Sequence, residues 1–511
     1  MASQERKTTG SPPENHMRTS EQRSADLVEM LLPEKLPEAG FQSYVELANN
    51  APKCKLEFIA GGVVNPDLQY GRFQDLGRMD QGILRLYQAI ETVRLIEPDV
   101  EKAEIIATSL EFRAAEMEYI KLLARIDFVM HEGGTKEDAK ELFEQTRLLG
   151  EQLYGRPEDS LRDSAYAEVW RQLDDKNLPP AAKVIYDELR NGFNWNDRHI
   201  DGLPRPENAE ILPDFEHPSL AWAGEIVLAN NTDIDALIEE FWQEKVAEFG
   251  EDYTADPNDI TEAFNSVLSL MDPDRTSGVS VIIDPEASAL SWETPLMAVK
   301  IGGRRPPIDS KEELLQKVIH ELKVHGGRAI EGIKSGLPVL GTGLYTNTER
   351  PDYLTFEEGF ATTIEGAIAG SKPSWSGTNM GHYINIAQAE DGKDFREVFE
   401  TSWRYRLLLS LEGDQDVTDE LIEKEKSSAY SACIRIFRGT PVKSKEVYPD
   451  IQPLTFNKDL AYLLGRVIAM EELDRLYGDK NEAGLMRLLN AKYDPTIPEQ
   501  AAIVDKYQVI Q

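Results

Sequence analysis

The apolar positions of this chain change period twice. From about residue 29 to about residue 200 they recur at helical spacing. GILRLYQAIETVRLIE (82–97) puts Leu84, Tyr87, Ile90, Val93 and Leu95 near one face, and EKAEIIATSLEFRAAEMEYIKLLARIDFVM (101–130) continues the period. The Pro-rich stretch LPRPENAE (203–210) predicts a boundary or a long connection, and DIDALIEEFWQEKVAEFG (233–250) a further helix. In SGVSVIID (277–284) Val279, Val281 and Ile283 alternate with smaller residues, and LMAVKIGG (296–303) makes a second short run, so a small sheet is expected there. Helical patterns resume at Ser310 and dominate to the C-terminus. The first 28 residues carry almost nothing apolar and read as a disordered tail. The expected fold is α+β and mostly helical: a tail (1–28), a helical N-terminal region (29–205) and a second region (206–511) whose small sheet lies just before the residues that carry chemistry.

Those residues lie in IDSKEELLQKVIHELKVHGGRAIEG (308–332). Ser310 and Glu313 have the spacing of a capping box, which starts a helix at about residue 311. Leu314, Leu315, Val318, Ile319 and Leu322 form its buried stripe, and Gly326–Gly327 end or loosen it. His320, Glu321 and His325 stand on this helix. Two histidines one turn apart bind zinc in H-E-x-x-H enzymes, with the Glu as general base. Here the spacing is H-E-x-x-x-H, one residue longer. At about 100° per residue the two imidazoles of a regular helix would point about 140° apart. A single-turn π-bulge absorbs the extra residue, and Glu321 falls on the arc between the rings. With only 7 His in 511 residues, the pattern arises by chance on the order of once in a hundred such chains.

Charge and cysteine content narrow the function classes. The net charge is −36, with 55 basic against 91 acidic residues, and no basic run is present to neutralise a nucleic-acid backbone or an anionic membrane surface. No apolar run approaches the ~20 residues of a membrane span, and the polar N-terminus lacks the apolar stretch of a secretory signal. Cys54 and Cys433 match no metal or redox spacing. A reduced, cytoplasmic protein is expected; its oligomeric state is not legible.

A zinc site needs a third protein ligand and an open position. The next candidate lies in TFEEGFATTIEGAI (355–368), where Glu358 follows His325 by 33 residues (358 − 325). A carboxylate presented from a second helix completes His₂Glu sites. Thr355 and Glu358 also have capping-box spacing, so Glu358 has a purely structural alternative. Glu365, two turns further, is placed to orient a histidine or simply to face solvent.

The motif with its E-G-F-A step resembles the QEGLA-motif proteins, a group that includes the tubulin tyrosine carboxypeptidases. The resemblance covers roughly 270–470: His320-Glu321 with His325, the loop GIKSGLPVLGTGL (332–344), EEGFA (357–361), RIFRG (435–439) and FNKDLAYLLG (456–465). It implies a gluzincin-like metallopeptidase core in the second region, Zn2+ on His320, His325 and Glu358, and Glu321 as catalytic base. Glu357 replaces the usual Gln, Phe360 the usual Leu, and Glu331 stands where Asn is expected.

A carboxypeptidase must also hold a terminal carboxylate, for which Arg435, Arg438, Lys458 and Arg328 are the candidates. Tyr345, His382 and Tyr462 are possible donors to an oxyanion, and the sequence does not choose among them. Two function classes follow. One is a zinc peptidase acting on a peptide or protein C-terminus. The other is a helical regulatory or interaction protein that keeps the metal without turnover and would have no reason to keep Glu321. Between 320 and 360, acids (Glu321, Glu331, Glu349, Asp352, Glu357, Glu358) match or outnumber bases, so neutral or basic peptide ends are expected as substrates.

Overall fold

Helix starts in this protein are set by short polar side chains. The Ser310 hydroxyl accepts the Glu313 N–H at 3.2 Å and opens a helix at Lys311, as its spacing predicts. Full capping boxes at Thr135/Asp138, Asp256/Asp259 and Asp394/Glu397 open three more. The computed structural model describes residues 51–68, 76–132, 134–213, 217–346, 352–369, 375, 378–413 and 415–507. The tail expected over 1–28 lies outside the described residues. The fold is mostly helical, with 67% helix and 5% strand. Among the described residues no helix is long and apolar enough to cross a membrane.

Two small sheets interrupt the helices. Strands β1 (Phe193–Trp195) and β2 (Arg198–Ile200) form an antiparallel hairpin that the sequence did not signal. Strands β3 (Ser280–Asp284), β4 (Leu290–Glu293) and β5 (Ala298–Gly302) form a sheet of order β3-β5-β4, with β3 parallel and β4 antiparallel to β5. Central β5 is buried through Ala298, Val299 and Ile301. Around β3 the alternation does not mark one inner face: Val279, just before the strand, is buried, but Ile283 on it is 40% exposed.

A similar correction applies to the helix Leu76–Ile96. Ile90 and Val93 are buried as expected, yet Leu84, Tyr87 and Leu95 are exposed, and Ile83 and Leu86 take the inner positions. Ile83, Leu86, Ile90 and Val93 follow i, i+3, i+7, i+10, which is the stripe a 3.6-residue period selects.

The helices on both sides of residue 205 share one hydrophobic core. Phe58, from the helix Ala51–Ile59, meets the rings of Phe395 and Phe399 edge-on at 5.1 and 4.9 Å. The buried Arg396 guanidinium lies 3.6 Å from the Phe58 ring and 4.4 Å from that of Trp195, joining the helix Ala51–Ile59, the hairpin and the C-terminal region.

Three helices position the site. The histidine helix runs from Lys311 to Lys334. The glutamate helix spans Leu354–Ala369, and the crossing helix Leu460–Gly478 packs across it. At the crossing a Cβ on Gly359 would overlap the Gly465 carbonyl carbon, and one on Gly465 would overlap the Thr355 oxygen. Backbones approach this closely only where both residues are glycine.

Candidate metal centre

The histidine helix is α-helical over Lys311–Val318, π-helical over Ile319–Gly326 and α-helical again over Gly327–Lys334. The wider turn does what the H-E-x-x-x-H spacing demands: residues five apart come onto one face. The His320 and His325 rings lie 5.2 Å apart with planes at 60°. Ligand atoms of His320, Glu321 and His325 all lie within 4.8 Å of one another.

Each ring has a carboxylate close to Nδ1, and that of His325 is hydrogen-bonded to it. His325 Nδ1 is 2.7 Å from Glu357 Oε1, and His320 Nδ1 is 2.7 Å from Glu365 Oε2, the latter contact bent away from the ring N–H direction. Both Nε2 atoms are thereby left for a ligand, the usual tautomer logic of imidazoles that bind metals. Burial opposes a charge on His320, but Glu321 and Glu365 beside it raise its pKa to about 9. Glu365 resists burial through His320 and Lys317 and drops to about 2. Glu321 is only 5% exposed. Burial pushes its carboxyl up, Glu358 pushes the same way, and the two histidines pull down.

Glu358 stands on the glutamate helix beside this set but outside its 4.8 Å circle. Its charge acts on His320, on Glu321 and above all on Tyr462, whose hydroxyl it raises. The capping role is taken elsewhere: Asp352 Oδ1 accepts the Thr355 N–H at 3.4 Å and the Thr355 hydroxyl at 3.3 Å. The Glu358 carboxylate has no hydrogen bond or ion pair among the described residues. Two imidazoles with backed Nδ1 atoms and an adjacent unengaged carboxylate match the N/O donor set that zinc prefers.

Glu357, read in the sequence only as a substitution, is the buried hub of the site. It accepts from His325, from Arg328 Nη1 at 3.0 Å and from Lys492 Nζ. Burial would raise it, yet Lys492 and Arg328 hold it down at about 2. Arg328 is fully buried, and its remaining donors go to the Ala491 and Tyr493 carbonyls. A guanidinium so placed is not available to a substrate carboxylate, which corrects its reading as a substrate-binding residue.

The other predicted side chains are dispersed around the glutamate helix. Arg435 grips Asp459 with two nitrogens and donates to the Tyr462 hydroxyl at 2.9 Å, so it holds the tyrosine beside Glu358. Arg438 lies 5.1 Å over the Phe456 ring. Lys458 is exposed, and its charge reaches Asp352. His382 is buried next to Asp459 and Arg435, and burial lowers it to about 4. Tyr345 is stacked on Phe112 at 4.0 Å beneath Arg113. Of the three oxyanion candidates, Tyr462 is the one whose surroundings are dominated by Glu358. Glu331 is exposed and is 4.0 Å from Lys334. No family model, curated protein or solved structure matches this chain.

Proposed function

We propose that the chain is a zinc-dependent metallopeptidase with a gluzincin-like core, acting as a carboxypeptidase on peptide C-termini. The observation that carries this reading is the π turn. It brings His320 and His325 together with Glu321 between them, each ring backed by a carboxylate at Nδ1. His320, His325 and Glu358 would hold the ion, which when bound supplies Lewis acidity to water and to a carbonyl.

The chain's own residues then divide the work. Glu357 fixes the tautomer and tilt of His325 through its hydrogen bond, and Glu365 sets its charge against Nδ1 of His320. Glu321 is buried and raised, so it suits a base that takes a proton from the attacking water and returns it to the leaving amine. Tyr462, oriented by Arg435, donates its O–H towards the oxygen that gains charge. The acidic balance around the site favours neutral or basic peptide ends.

The test is elemental analysis of protein purified without added metal. Close to one zinc per chain is expected, lost in His325→Ala while the fold persists. Equal zinc in both proteins overturns the assignment.

A further inference from the structure

The segment 491–493 is fastened to the residues behind His325 at each of its three positions. The Ala491 and Tyr493 carbonyls accept Nε and Nη2 of Arg328. Between them the Lys492 N–H donates to the Leu340 carbonyl at 2.7 Å, and the Lys492 carbonyl accepts the Leu344 N–H at 2.9 Å. Leu340 in turn lies so close to the histidine helix that a Cβ on Gly332 would overlap its carbonyl. The Lys492 side chain is fully buried. Its Nζ lies 5.0 Å from the centre of the Trp292 ring and 5.7 Å from that of Tyr353, and it donates to Glu357 Oε1.

Glu357 Oε1 thus has two partners, Lys492 Nζ and His325 Nδ1, the latter at 2.7 Å, while Oε2 accepts from Arg328 Nη1 at 3.0 Å. A carboxylate oxygen offers two lone pairs, so Oε1 is fully used and the carboxylate cannot turn without breaking a bond. An arginine facing a carboxylate commonly takes both oxygens with two parallel N–H groups. Such a pair would draw Oε1 away from the histidine. Here the Ala491 and Tyr493 carbonyls engage the other two nitrogens of Arg328 and leave it one bond to Glu357. The two histidines are therefore supported differently. Lys317, which pairs with Glu365 at 2.6 Å, stands one turn before His320 on the same helix and is partly exposed. The support of His325 comes from 167 residues further on (492 − 325). An ammonium taken wholly out of water is costly, and an apolar side chain of similar length would fill the space at lower cost. What the ammonium adds is the bond that holds Oε1.

We propose that Lys492 is a positioning residue of the metal centre: with the Ala491 and Tyr493 carbonyls it keeps Glu357 Oε1 on His325 Nδ1, and so aims His325 Nε2 before any ion arrives. The inference rests on the metal-site reading for its purpose, but the orientation it describes is measurable in metal-free protein.

The experiment compares wild type, Lys492→Met and Arg396→Met. The last removes a different buried cation, one packed on Phe58 and Trp195, and controls for destabilisation alone. In metal-free protein with ¹⁵N-labelled histidine, long-range ¹H–¹⁵N spectra at pH 8 read the tautomer of each ring, and His325→Ala assigns the His325 signal. Wild type and Arg396→Met should show His325 held with its proton on Nδ1. Lys492→Met should show a mixture, with the His320 signal unmoved. Competition with a chromophoric chelator should then give a zinc dissociation constant about 10–100-fold weaker in Lys492→Met and unchanged in Arg396→Met. Lys492→Gln keeps a neutral N–H donor and should show a smaller change in both readings, and it supplies the answer if the methionine variant does not fold. Wild type with both His325 tautomers, a tautomer unmoved by the substitution, or a zinc affinity that is unchanged or falls equally in Arg396→Met overturns the proposal. If wild type binds no zinc, the metal-site reading alone fails, and the tautomer decides whether Lys492 orients His325.

Discussion

Gly359 and Gly465 face each other where the glutamate and crossing helices touch, and neither position has room for a Cβ. The contact places Glu358, one residue before the first glycine, where its charge dominates the hydroxyl of Tyr462, three before the second. Two stretches about a hundred residues apart, EEGFA and FNKDLAYLLG, are thus one structural unit. Overpacking a core contact typically costs ~1–3 kcal/mol, and here the obstruction is rigid backbone. Gly359→Ala and Gly465→Ala should each destabilise by that amount or more, and should weaken zinc binding as the helices separate. Denaturant unfolding of metal-free protein reads the first effect; an unchanged midpoint in both variants would show that the helices have room to shift.

The adjacent acids Glu357 and Glu358 should behave oppositely. Glu357 balances two buried cations, and removing one partner of a buried pair costs about 3–5 kcal/mol. Glu357→Gln should therefore lower stability by that order in the metal-free chain. Glu358→Gln loses no hydrogen bond, and should change metal-free stability by less than about 1 kcal/mol. If it ligates, zinc affinity should fall by two orders of magnitude or more. An unaltered zinc dissociation constant would remove Glu358 from the ligand set.

Glu321→Gln is isosteric and should keep both fold and zinc. Loss of general-base catalysis should slow peptide hydrolysis by about 10²–10⁴-fold. Product formation followed by mass spectrometry decides the point, and a variant as fast as wild type would take Glu321 out of the mechanism.

Asp352 links the head of the glutamate helix to pH. Burial raises its carboxyl to about 6 from an ordinary value of 3.8, against the Thr355 N–H and Lys458. The folded chain therefore binds this proton more tightly than the unfolded chain does. The contribution favours folding at low pH, is lost as pH rises from about 4 to about 6, and is constant above. The span corresponds to ~3 kcal/mol. Asp352→Asn keeps an acceptor for the cap while removing the charge, so it should stabilise the protein by ~1–3 kcal/mol at pH 7.5 and hardly at all at pH 4. A difference of equal size at both values would refute the assignment.

What could be read from the sequence was local. The Ser310 cap, the apolar stripe and the π turn are consequences of spacing within twenty residues, and H-E-x-x-x-H can close on one ion only if the helix widens. The roles of Glu357 and Arg328 were not legible because both depend on Lys492 and on the carbonyls of Ala491 and Tyr493, more than 130 residues further along. Two neighbouring glutamates look alike until a distant lysine chooses one. The true cap of the glutamate helix was equally hidden: Asp352–Thr355 and Thr355–Glu358 share the same spacing, and only the backbone decides between them. On the helix Leu76–Ile96 apolar residues occupy adjacent positions (Ile83-Leu84, Leu86-Tyr87), so periodicity left the buried face uncertain by one residue.

The π turn also says how such a motif can come about. Inserting one residue into an ordinary helix would rotate everything after it by about 100°, unless a widened turn absorbs the extra residue on the spot. Here it does, and Arg328 still meets Glu357 three residues past the second histidine. H-E-x-x-x-H is then H-E-x-x-H plus a single codon, with the surplus hidden inside one turn. Of the three intervening residues Leu322 and Val324 are buried while Lys323 is half-buried. In-frame deletion of Lys323 should therefore anneal the turn to α and leave both histidines, and the bond from Arg328, where they are.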